Sequence, residues 1–267
     1  MTPHPPLLLV GCGKMGGAIL EGLRADPATA PRSVTIIDPG APQVENAVVV
    51  PDAASVDGFT SGVVLIAVKP QLVAVLAPGL RRFAGPQTLF ISIAAGIGLK
   101  ALENGLGEGA SVVRAMPNTP AAVLRGMTGA VAGPGVTAEQ RALCDRVLGA
   151  VGDVAWVEDE ALLDIVTAVS GSGPAYFFRL AEALAEAGRA QGLSPAVAEQ
   201  LARRTLEGAG YLAAASDEPL AILRQNVTSP GGTTAAGLAA FDEHGALDNL
   251  AQAVVAAAAA RSRELGG

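Results

Sequence analysis

Short apolar runs alternate with segments of helical pattern along the first two thirds of the chain. Five of them, at residues 7–10, 34–37, 63–68, 89–93 and 112–116, have the length and composition of buried strands. Residues 16–24, between the first two runs, predict a helix that ends before the Asp26-Pro27 turn. Strands that alternate with helices are typical of a parallel sheet covered by helices on both faces. We therefore predict a doubly wound α/β domain at the N-terminus.

The pattern changes after one more apolar run at residues 154–157. The acidic stretch Glu158-Asp159-Glu160 is followed by a region rich in Ala and Leu that has no further strand-like run. Within this region, Ser194 and Pro195 are typical of a helix N-cap and first turn. The sequence thus predicts one domain over residues 1–157 and an all-helical domain over residues 158–267.

The composition excludes several classes of function. Half of the 267 residues are hydrophobic, only 3% are aromatic, and the formal net charge is −7. Such a chain lacks the basic surface and the aromatic stacking platforms that nucleic acids require. Its apolar runs fall well short of the ~18 residues of a membrane span. We expect neither nucleic acid nor a membrane as a partner.

Cysteine and histidine usage argues against metal and disulfide chemistry. Cys12 and Cys144 are far apart in the sequence, and His4 and His244 are its only histidines. This pattern supports neither a metal cluster nor a disulfide framework, and it is typical of a reducing compartment. The sequence therefore predicts a cytoplasmic protein without a metal site.

A glycine-rich segment, Gly11-Cys12-Gly13-Lys14-Met15-Gly16, joins the first predicted strand to the first predicted helix. In that context, backbone N–H groups and the positive end of the helix can hold a pyrophosphate, which predicts a dinucleotide site. A glycine-rich structural turn is the alternative. The residues expected to contact the cofactor here are Gly11, Gly13, Lys14, Met15 and Gly16.

Asp38 ends the second predicted strand, where an acidic residue of a dinucleotide site commonly meets the adenosine ribose. Its carboxylate could accept hydrogen bonds from the ribose hydroxyls or repel a 2′-phosphate. The alternative is a turn aspartate ahead of Pro39 and Gly40. The choice between NADPH and NADH as cofactor stays open.

Three later strand ends carry segments that could line a cofactor crevice, since ligands bind at the carboxyl ends of such strands. Their prolines force extended backbone on the preceding residues. The alternative is that these segments simply terminate the strands. Lys69 could hydrogen-bond to the backbone or to a ligand, or it could act as a base. The cofactor candidates in these segments are Ala67, Val68, Lys69, Pro70, Ala94, Ala95, Met116, Pro117 and Asn118.

Two hydroxyl-rich segments precede helices in the C-terminal region. Residues 170–175, Ser-Gly-Ser-Gly-Pro-Ala, form a tight turn or a plain helix cap. Residues 227–235 run into a helix predicted from about Thr233 to Phe241, whose free N–H groups could bind a carboxylate. Capping by Ser229 or by a threonine is the alternative.

In order and approximate spacing, these motifs resemble pyrroline-5-carboxylate reductases, which reduce a cyclic imino acid to L-proline with NADPH or NADH. The matching segments cover nearly the whole chain: residues 11–16, 67–71, 92–96, 114–121, 170–178 and 227–238. The resemblance implies an N-terminal Rossmann domain and a C-terminal helical domain that interlaces with a second subunit. It also implies a homodimer, with dimers often assembled into a larger ring such as a decamer.

The resemblance also implies residue roles. Thr234 would be the catalytic residue that hydrogen-bonds the imine nitrogen, and Met116, Pro117 and Asn118 would border the nicotinamide. Ser229 and the backbone through Gly231, Gly232 and Thr233 would hold the substrate carboxylate. The chain departs from the common family pattern at Asp38-Pro39-Gly40, where many members have a polar or basic turn. It also departs at residues 52–55, which lack an asparagine that often contacts the adenosine half.

Two other functions remain open. A reductase of the same architecture could act on another cyclic imine or on a small β-hydroxy acid. Oxidation of a hydroxy acid usually needs a lysine in the helical domain, and no lysine occurs between residues 160 and 267. A non-catalytic dinucleotide sensor would need the glycine-rich segment but not the hydroxyl-rich segment at residues 229–234.

Overall fold

The structure is a computed structural model that describes residues 4–266. The chain packs into two compact units. The first unit runs to Gly171 and takes in the chain again from Ala258 onward, and the second unit is Ser172–Ala257. The domain boundary that the sequence predicts near residue 158 remains a proposal.

An eight-stranded sheet forms the centre of the first unit. The strands are β1 (Leu7–Val10), β2 (Val34–Ile37), β3 (Val48–Val50), β4 (Gly62–Ile66), β5 (Thr88–Ser92), β6 (Ser111–Pro117), β7 (Gly126–Ala132) and β8 (Gly152–Trp156). They lie in the order β3-β2-β1-β4-β5-β6-β7-β8, and only the β6–β7 pair is antiparallel. The predicted α/β class with a mostly parallel sheet is confirmed.

Helices of the first unit cover both faces of the sheet. They are α1 (Lys14–Ala25), α2 (Pro70–Leu80), α3 (Leu99–Leu106), α4 (Ala138–Gly149) and α5 (Leu162–Val166). Alternate residues of β1 point to opposite faces, because Leu9 packs in the core layer with α1 and Leu8 packs in the layer with α2 and α3. Each fully buried Leu, Ile or Val contributes about 1.5–3 kcal/mol to stability. These two layers hold the carboxyl edge of the sheet in place.

The structure differs from the predicted elements in β3, β7 and α1. β3 is a three-residue edge strand, too short to stand out in the sequence. Glycines interrupt the apolar pattern of β7, and Gly129 is needed there because a Cβ would meet the side chain of Val166. α1 begins at Lys14 rather than Gly16, so Lys14 and Met15 belong to its first turn.

The second unit is helical, as predicted. Its helices are α6 (Gly173–Ala190), α7 (Pro195–Ala214), α8 (Leu220–Asn226), α9 (Thr233–Asp242) and the first half of α10 (Ala246–Gly266), whose last turns belong to the first unit. Ser194 caps α7 by accepting the Val197 N–H, as its position in the sequence indicated. Within residues 4–266, none of the helices has the length and apolar character needed to cross a membrane.

The helices of the second unit expose much of their apolar surface. Phe177 and Phe178 on α6 are 61% and 58% exposed, and Tyr211 on α7 is 64% exposed. Leu201 and Leu220 are also exposed. An apolar surface of this extent marks a protein–protein interface in a folded chain.

Candidate active site

The glycine-rich segment lies where the strand order reverses, between β1 and β4. Gly11 donates its N–H to the Ile37 carbonyl at 2.9 Å, and Ala67 donates to the Val10 carbonyl at 2.8 Å. The segment is thus held between the carboxyl ends of β2 and β4. In doubly wound sheets, this reversal point is where dinucleotides bind.

Close backbone approach explains two of the glycines. Gly11 has φ +87°, and a Cβ there would lie 2.7 Å from Cγ1 of Val68. A Cβ on Gly16 would lie 2.6 Å from the Gly11 carbonyl oxygen and 2.9 Å from Cβ of Ala67. The segment can therefore pack against the end of β4 only if both positions are glycine.

Gly13 is different, because a Cβ there would meet no protein atom within 4 Å. It is the N-cap of α1, and its extended backbone is open to any residue. Within the described residues, no side chain caps this helix end. An open position beside uncapped N–H groups at the start of a helix suits a pyrophosphate, so the residues fit a dinucleotide.

The side chain of Asp38 contacts the glycine-rich segment directly. Its Oδ2 accepts the Cys12 N–H at 2.9 Å, and its Oδ1 accepts the Gly40 N–H at 2.8 Å. The half-buried carboxylate is therefore fixed at the end of β2, beside the turn into α1. Each oxygen retains a lone pair for a further donor.

The three strand-end segments lie side by side, since β4, β5 and β6 are adjacent and parallel. Ala67 and Val68 follow β4, Lys69 is the exposed N-cap of α2, and Pro70 is the first residue of that helix. Ala94, buried, and Ala95, exposed, follow β5. Met116 and Pro117 end β6. Together these residues form one wall along the carboxyl edge.

Asn118 is buried, and its amide makes three hydrogen bonds within the first unit. Nδ2 donates to the carbonyl and the hydroxyl oxygen of Ser170 at 3.2 and 3.3 Å, and Oδ1 accepts the Met127 N–H at 2.8 Å. Thr167–Gly171 is a π-helical turn, a feature common at functional sites. A Cβ on Gly171 would lie 3.0 Å from Cε of Met116. Asn118 thus joins the end of β6 to the turn at Ser170.

Sequence reasoning missed a charged pair at the same edge. Glu160 Oε1 accepts a hydrogen bond from Arg114 Nη1 at 2.7 Å and another from the Leu99 N–H at 2.8 Å. The Arg114 side chain is only 14% exposed. Glu160 therefore joins the segment after β5 to the end of β6. In the sequence, only the position of Arg114 within an apolar run could have indicated a buried ion pair.

The hydroxyl-rich segment of the second unit is an exposed loop before α9. Thr228 donates its hydroxyl to the Arg224 carbonyl at 2.6 Å, and Gly232 donates its N–H to the Ser229 carbonyl at 3.0 Å. Gly231 has φ +71°, and a Cβ on Gly232 would clash with the Ser229 hydroxyl. These contacts tie the loop to the end of α8 and close a tight turn immediately before α9.

The start of α9 is available to a ligand. Its N-cap is Gly232, and no side chain within the described residues caps it. Ser229, Thr233 and Thr234 are exposed there. Uncapped N–H groups together with hydroxyls can bind a carboxylate and a second polar group of the same small molecule. The predicted substrate residues therefore lie together on this loop and in the first turn of α9.

The surroundings of both cysteines favour the protonated thiol over the thiolate. Burial and the neighbouring Asp38 carboxylate raise the pKa of Cys12, with an opposing effect of Arg24, and burial raises the pKa of Cys144. Both cysteines are free. Within residues 4–266, no three His, Cys, Asp or Glu side chains come close enough together to hold a metal ion.

Known proteins of similar sequence decide the family. The family model described as pyrroline-5-carboxylate reductase dimerisation matches residues 160–265. A pyrroline-5-carboxylate reductase of Pseudomonas aeruginosa is 40% identical over 98% of this chain and 97% of its own length. The chain belongs to the pyrroline-5-carboxylate reductase family. Residues 160–265 accordingly form its dimerisation region, in agreement with the exposed apolar side chains of α6 and α7.

Solved structures of pyrroline-5-carboxylate reductases have the same fold. The Coxiella burnetii enzyme superimposes with a TM-score of 0.87 at 32% identity, over 98% of both chains. The Plasmodium falciparum enzyme, with NADP bound, superimposes with a TM-score of 0.79 at 26% identity, also over 98% of both chains. The predicted Rossmann-type domain followed by a helical region is thereby confirmed.

Proposed function

We propose that this chain reduces the C=N bond of 1-pyrroline-5-carboxylate to give L-proline, the last step of proline biosynthesis. It is an oxidoreductase that acts on the CH–NH group with NADPH or NADH. The observation that carries this conclusion is the 40% identity to a pyrroline-5-carboxylate reductase over nearly the full length of both chains. The hydroxyl-rich loop before α9 supports it against a sensor that only binds the cofactor.

The cofactor is held at the carboxyl edge of the sheet and supplies the hydride when bound. Gly11, Gly13, Lys14, Met15 and Gly16 receive its pyrophosphate through backbone N–H groups at the start of α1. Asp38 meets the adenosine ribose. The wall of the crevice comprises Ala67, Val68, Lys69, Pro70, Ala94, Ala95, Met116, Pro117 and Asn118, with the last three beside the nicotinamide. Asn118 acts there as a positioning residue, because its amide already binds Ser170 and Met127.

The substrate is an anion, and this chain has a net charge of −7, so the carboxylate must be held by local donors. Ser229, Gly231, Gly232 and Thr233 supply them through a hydroxyl and backbone N–H groups. An imine accepts hydride most readily when its nitrogen is protonated. The Thr234 hydroxyl oxygen accepts a hydrogen bond from that nitrogen and orients it, and solvent supplies the proton.

Replacement of Thr234 tests this assignment. Thr234→Ala should lower kcat/KM for pyrroline-5-carboxylate about 100-fold, the usual cost of removing one such group. The Kd of the cofactor should stay unchanged. Thr60→Ala, at an exposed threonine outside the region matched by the dimerisation family, is the matched control and should leave both constants unchanged. A Thr234→Ala enzyme with wild-type kcat/KM would refute the role.

The two functional regions are proposed to meet near residue 158. Residues 1–157 then bind the dinucleotide, and residues 158–267 bind substrate and form the dimer. The dimerisation family match, which begins at residue 160, supports this division.

The homodimer is proposed to be the basic assembly, with a larger ring such as a decamer built from it. The exposed apolar helices of the second unit support self-association. Light scattering distinguishes a dimer from a ring by mass. A cytoplasmic location is proposed as well, supported by two cysteines that are both free thiols.

A further inference from the structure

The negative charge of Asp38 is fixed at the end of β2 by hydrogen bonds to its side chain. Its two carboxylate oxygens accept the N–H groups of Cys12 and Gly40 at 2.9 and 2.8 Å. The chain is also tied at this point, since the Asp38 N–H donates to Val50 at 3.0 Å and its carbonyl accepts the Ala41 N–H at 3.1 Å. A rotation of the side chain would therefore break two hydrogen bonds to backbone donors.

The chain beyond Asp38 offers no compensating positive charge. Residues 39–50 contain neither lysine nor arginine. Arg24 of α1 does contact this segment, but its guanidinium is already engaged. It donates to the Asn46 carbonyl at 3.3 Å and lies 4.0 Å from the Glu21 carboxylate. Dinucleotide sites that accept a 2′-phosphate usually place an arginine beside it, whereas sites that accept a free ribose use an acidic residue.

We propose that Asp38 makes this enzyme prefer NADH to NADPH. The carboxylate accepts hydrogen bonds from the 2′- and 3′-hydroxyls of the adenosine ribose and repels the 2′-phosphate. This inference rests on the proposed function only in that the chain binds a nicotinamide dinucleotide. It distinguishes the chain from its Plasmodium falciparum relative, whose structure holds NADP.

The hydrogen bond from the Cys12 N–H to Asp38 adds a second reason for weaker binding of NADPH. Because the carboxylate accepts the Cys12 N–H within the turn into α1, any 2′-phosphate that displaced Asp38 would also disturb the segment that holds the pyrophosphate. A larger ligand therefore loses contacts at two places. The discrimination should appear in binding itself and not only in turnover.

Calorimetric titration with nucleotide fragments tests the proposal without any catalytic step. The probes are ADP-ribose and its 2′-phosphorylated form, which differ only in the disputed group. Wild-type protein should bind ADP-ribose at least tenfold more tightly. Asp38→Asn, which keeps the shape and removes the charge, should bring the ratio of the two Kd values close to one. Glu45→Gln removes the same charge from an exposed position nearby and should leave the ratio as in wild type.

The outcomes separate this inference from the proposed function. Equal or tighter binding of the 2′-phosphorylated probe by wild type would overturn the inference, as would a ratio that Asp38→Asn does not change. Failure of folded wild-type protein to bind either probe would overturn both. Preferential binding of ADP-ribose by a protein that does not reduce pyrroline-5-carboxylate would leave the inference standing and refute the proposed function.

Discussion

Gly16 fills the narrowest space around the cofactor segment. A methyl group there would press on the Gly11 carbonyl and on Ala67, so the segment would have to leave the end of β4. We expect Gly16→Ala to lower the free energy of unfolding by about 1–3 kcal/mol. It should also raise the Kd of NADH at least tenfold.

Gly17 is the matched control, since a Cβ on this helical residue would meet no protein atom within 4 Å. Gly17→Ala should be neutral or stabilising by up to about 1 kcal/mol, because alanine favours the helix. Urea unfolding and cofactor titration of both variants provide the measurement. Equal effects of the two substitutions would contradict the packing argument.

His4 should make stability depend on pH. Its side chain is buried, and its Nε2 has no hydrogen-bond partner among residues 4–266. Burial lowers the pKa of His4, and the charge of Arg146 lowers it further. The unfolded chain, with an ordinary histidine pKa of about 6.5, therefore binds the proton more readily than the folded chain. The contribution of His4 to stability is therefore fully present above its unfolded-state pKa of about 6.5 and is lost as the pH falls below that value.

The measurement is the free energy of unfolding from urea titrations between pH 8 and pH 5. A single histidine contributes a slope of at most about 1.4 kcal/mol per pH unit. His4→Gln should reduce the slope below pH 6.5. An unchanged slope in that variant would show that His4 does not cause the pH dependence.

At the scale of elements, Glu160 joins the start of α3 to β6. Glu160→Ala removes the acceptor for both Arg114 and the Leu99 N–H, and it leaves the arginine largely buried without a partner. We expect a loss of about 1–3 kcal/mol in the free energy of unfolding. The KM for the cofactor should rise as well, because the segments after β5 and β6 line the crevice.

The matched control is Glu158→Ala, which removes an exposed carboxylate 3.9 Å from Arg141, outside the region matched by the dimerisation family. Exposed pairs contribute little, so this variant should unfold almost as wild type does. Steady-state kinetics and denaturant titration compare the two variants. A Glu160→Ala enzyme with normal stability and normal KM would refute the positioning role.

Elements with a regular apolar run could be predicted from the sequence, and those without one could not. β1 and β2 coincide with their predicted bounds, because every residue of these runs except Thr35 is apolar and the runs end at a glycine and an aspartate. The predicted strand at 63–68 ends early, at Ile66, since Ala67 and Val68 already lead into the turn before Pro70. β7 was missed because Gly126 and Gly129 interrupt its pattern.

In the candidate site too, residues within a local sequence motif could be predicted, and residues whose contacts are distant in sequence could not. The glycine-rich segment, Asp38 and the loop before α9 each have a local motif, and the structure places each of them at a helix or strand terminus, as the sequence indicated. Glu160 has no local signal, because its two partners are distant in sequence. Asn118 was placed beside the cofactor by resemblance, but its internal hydrogen bonds depend on a turn that only the folded chain reveals.

At the scale of the whole molecule, the exposed helices of the second unit predict that stability depends on concentration. Tyr211→Glu combined with Leu201→Glu would put charge into the apolar surface of α7, and we expect the mass in solution to fall to that of a monomer. The melting temperature should then become independent of protein concentration, whereas that of wild type should rise with it.

Val48→Glu is the control, since Val48 is exposed on β3, outside the region matched by the dimerisation family. This variant should keep the wild-type mass. Analytical ultracentrifugation measures all three proteins. A double variant that retains the wild-type mass would show that α7 does not form the interface.

The different burial of the two free thiols allows ligand binding and unfolding to be measured by their rates of alkylation. Cys12 is half-buried beside the cofactor segment, and Cys144 is buried in the core. An alkylating reagent should modify Cys12 slowly in the free protein and more slowly once a dinucleotide covers the segment. Cys144 should react only when the first unit unfolds. Mass spectrometry of the two peptides would then read ligand occupancy and global unfolding from one unlabelled sample.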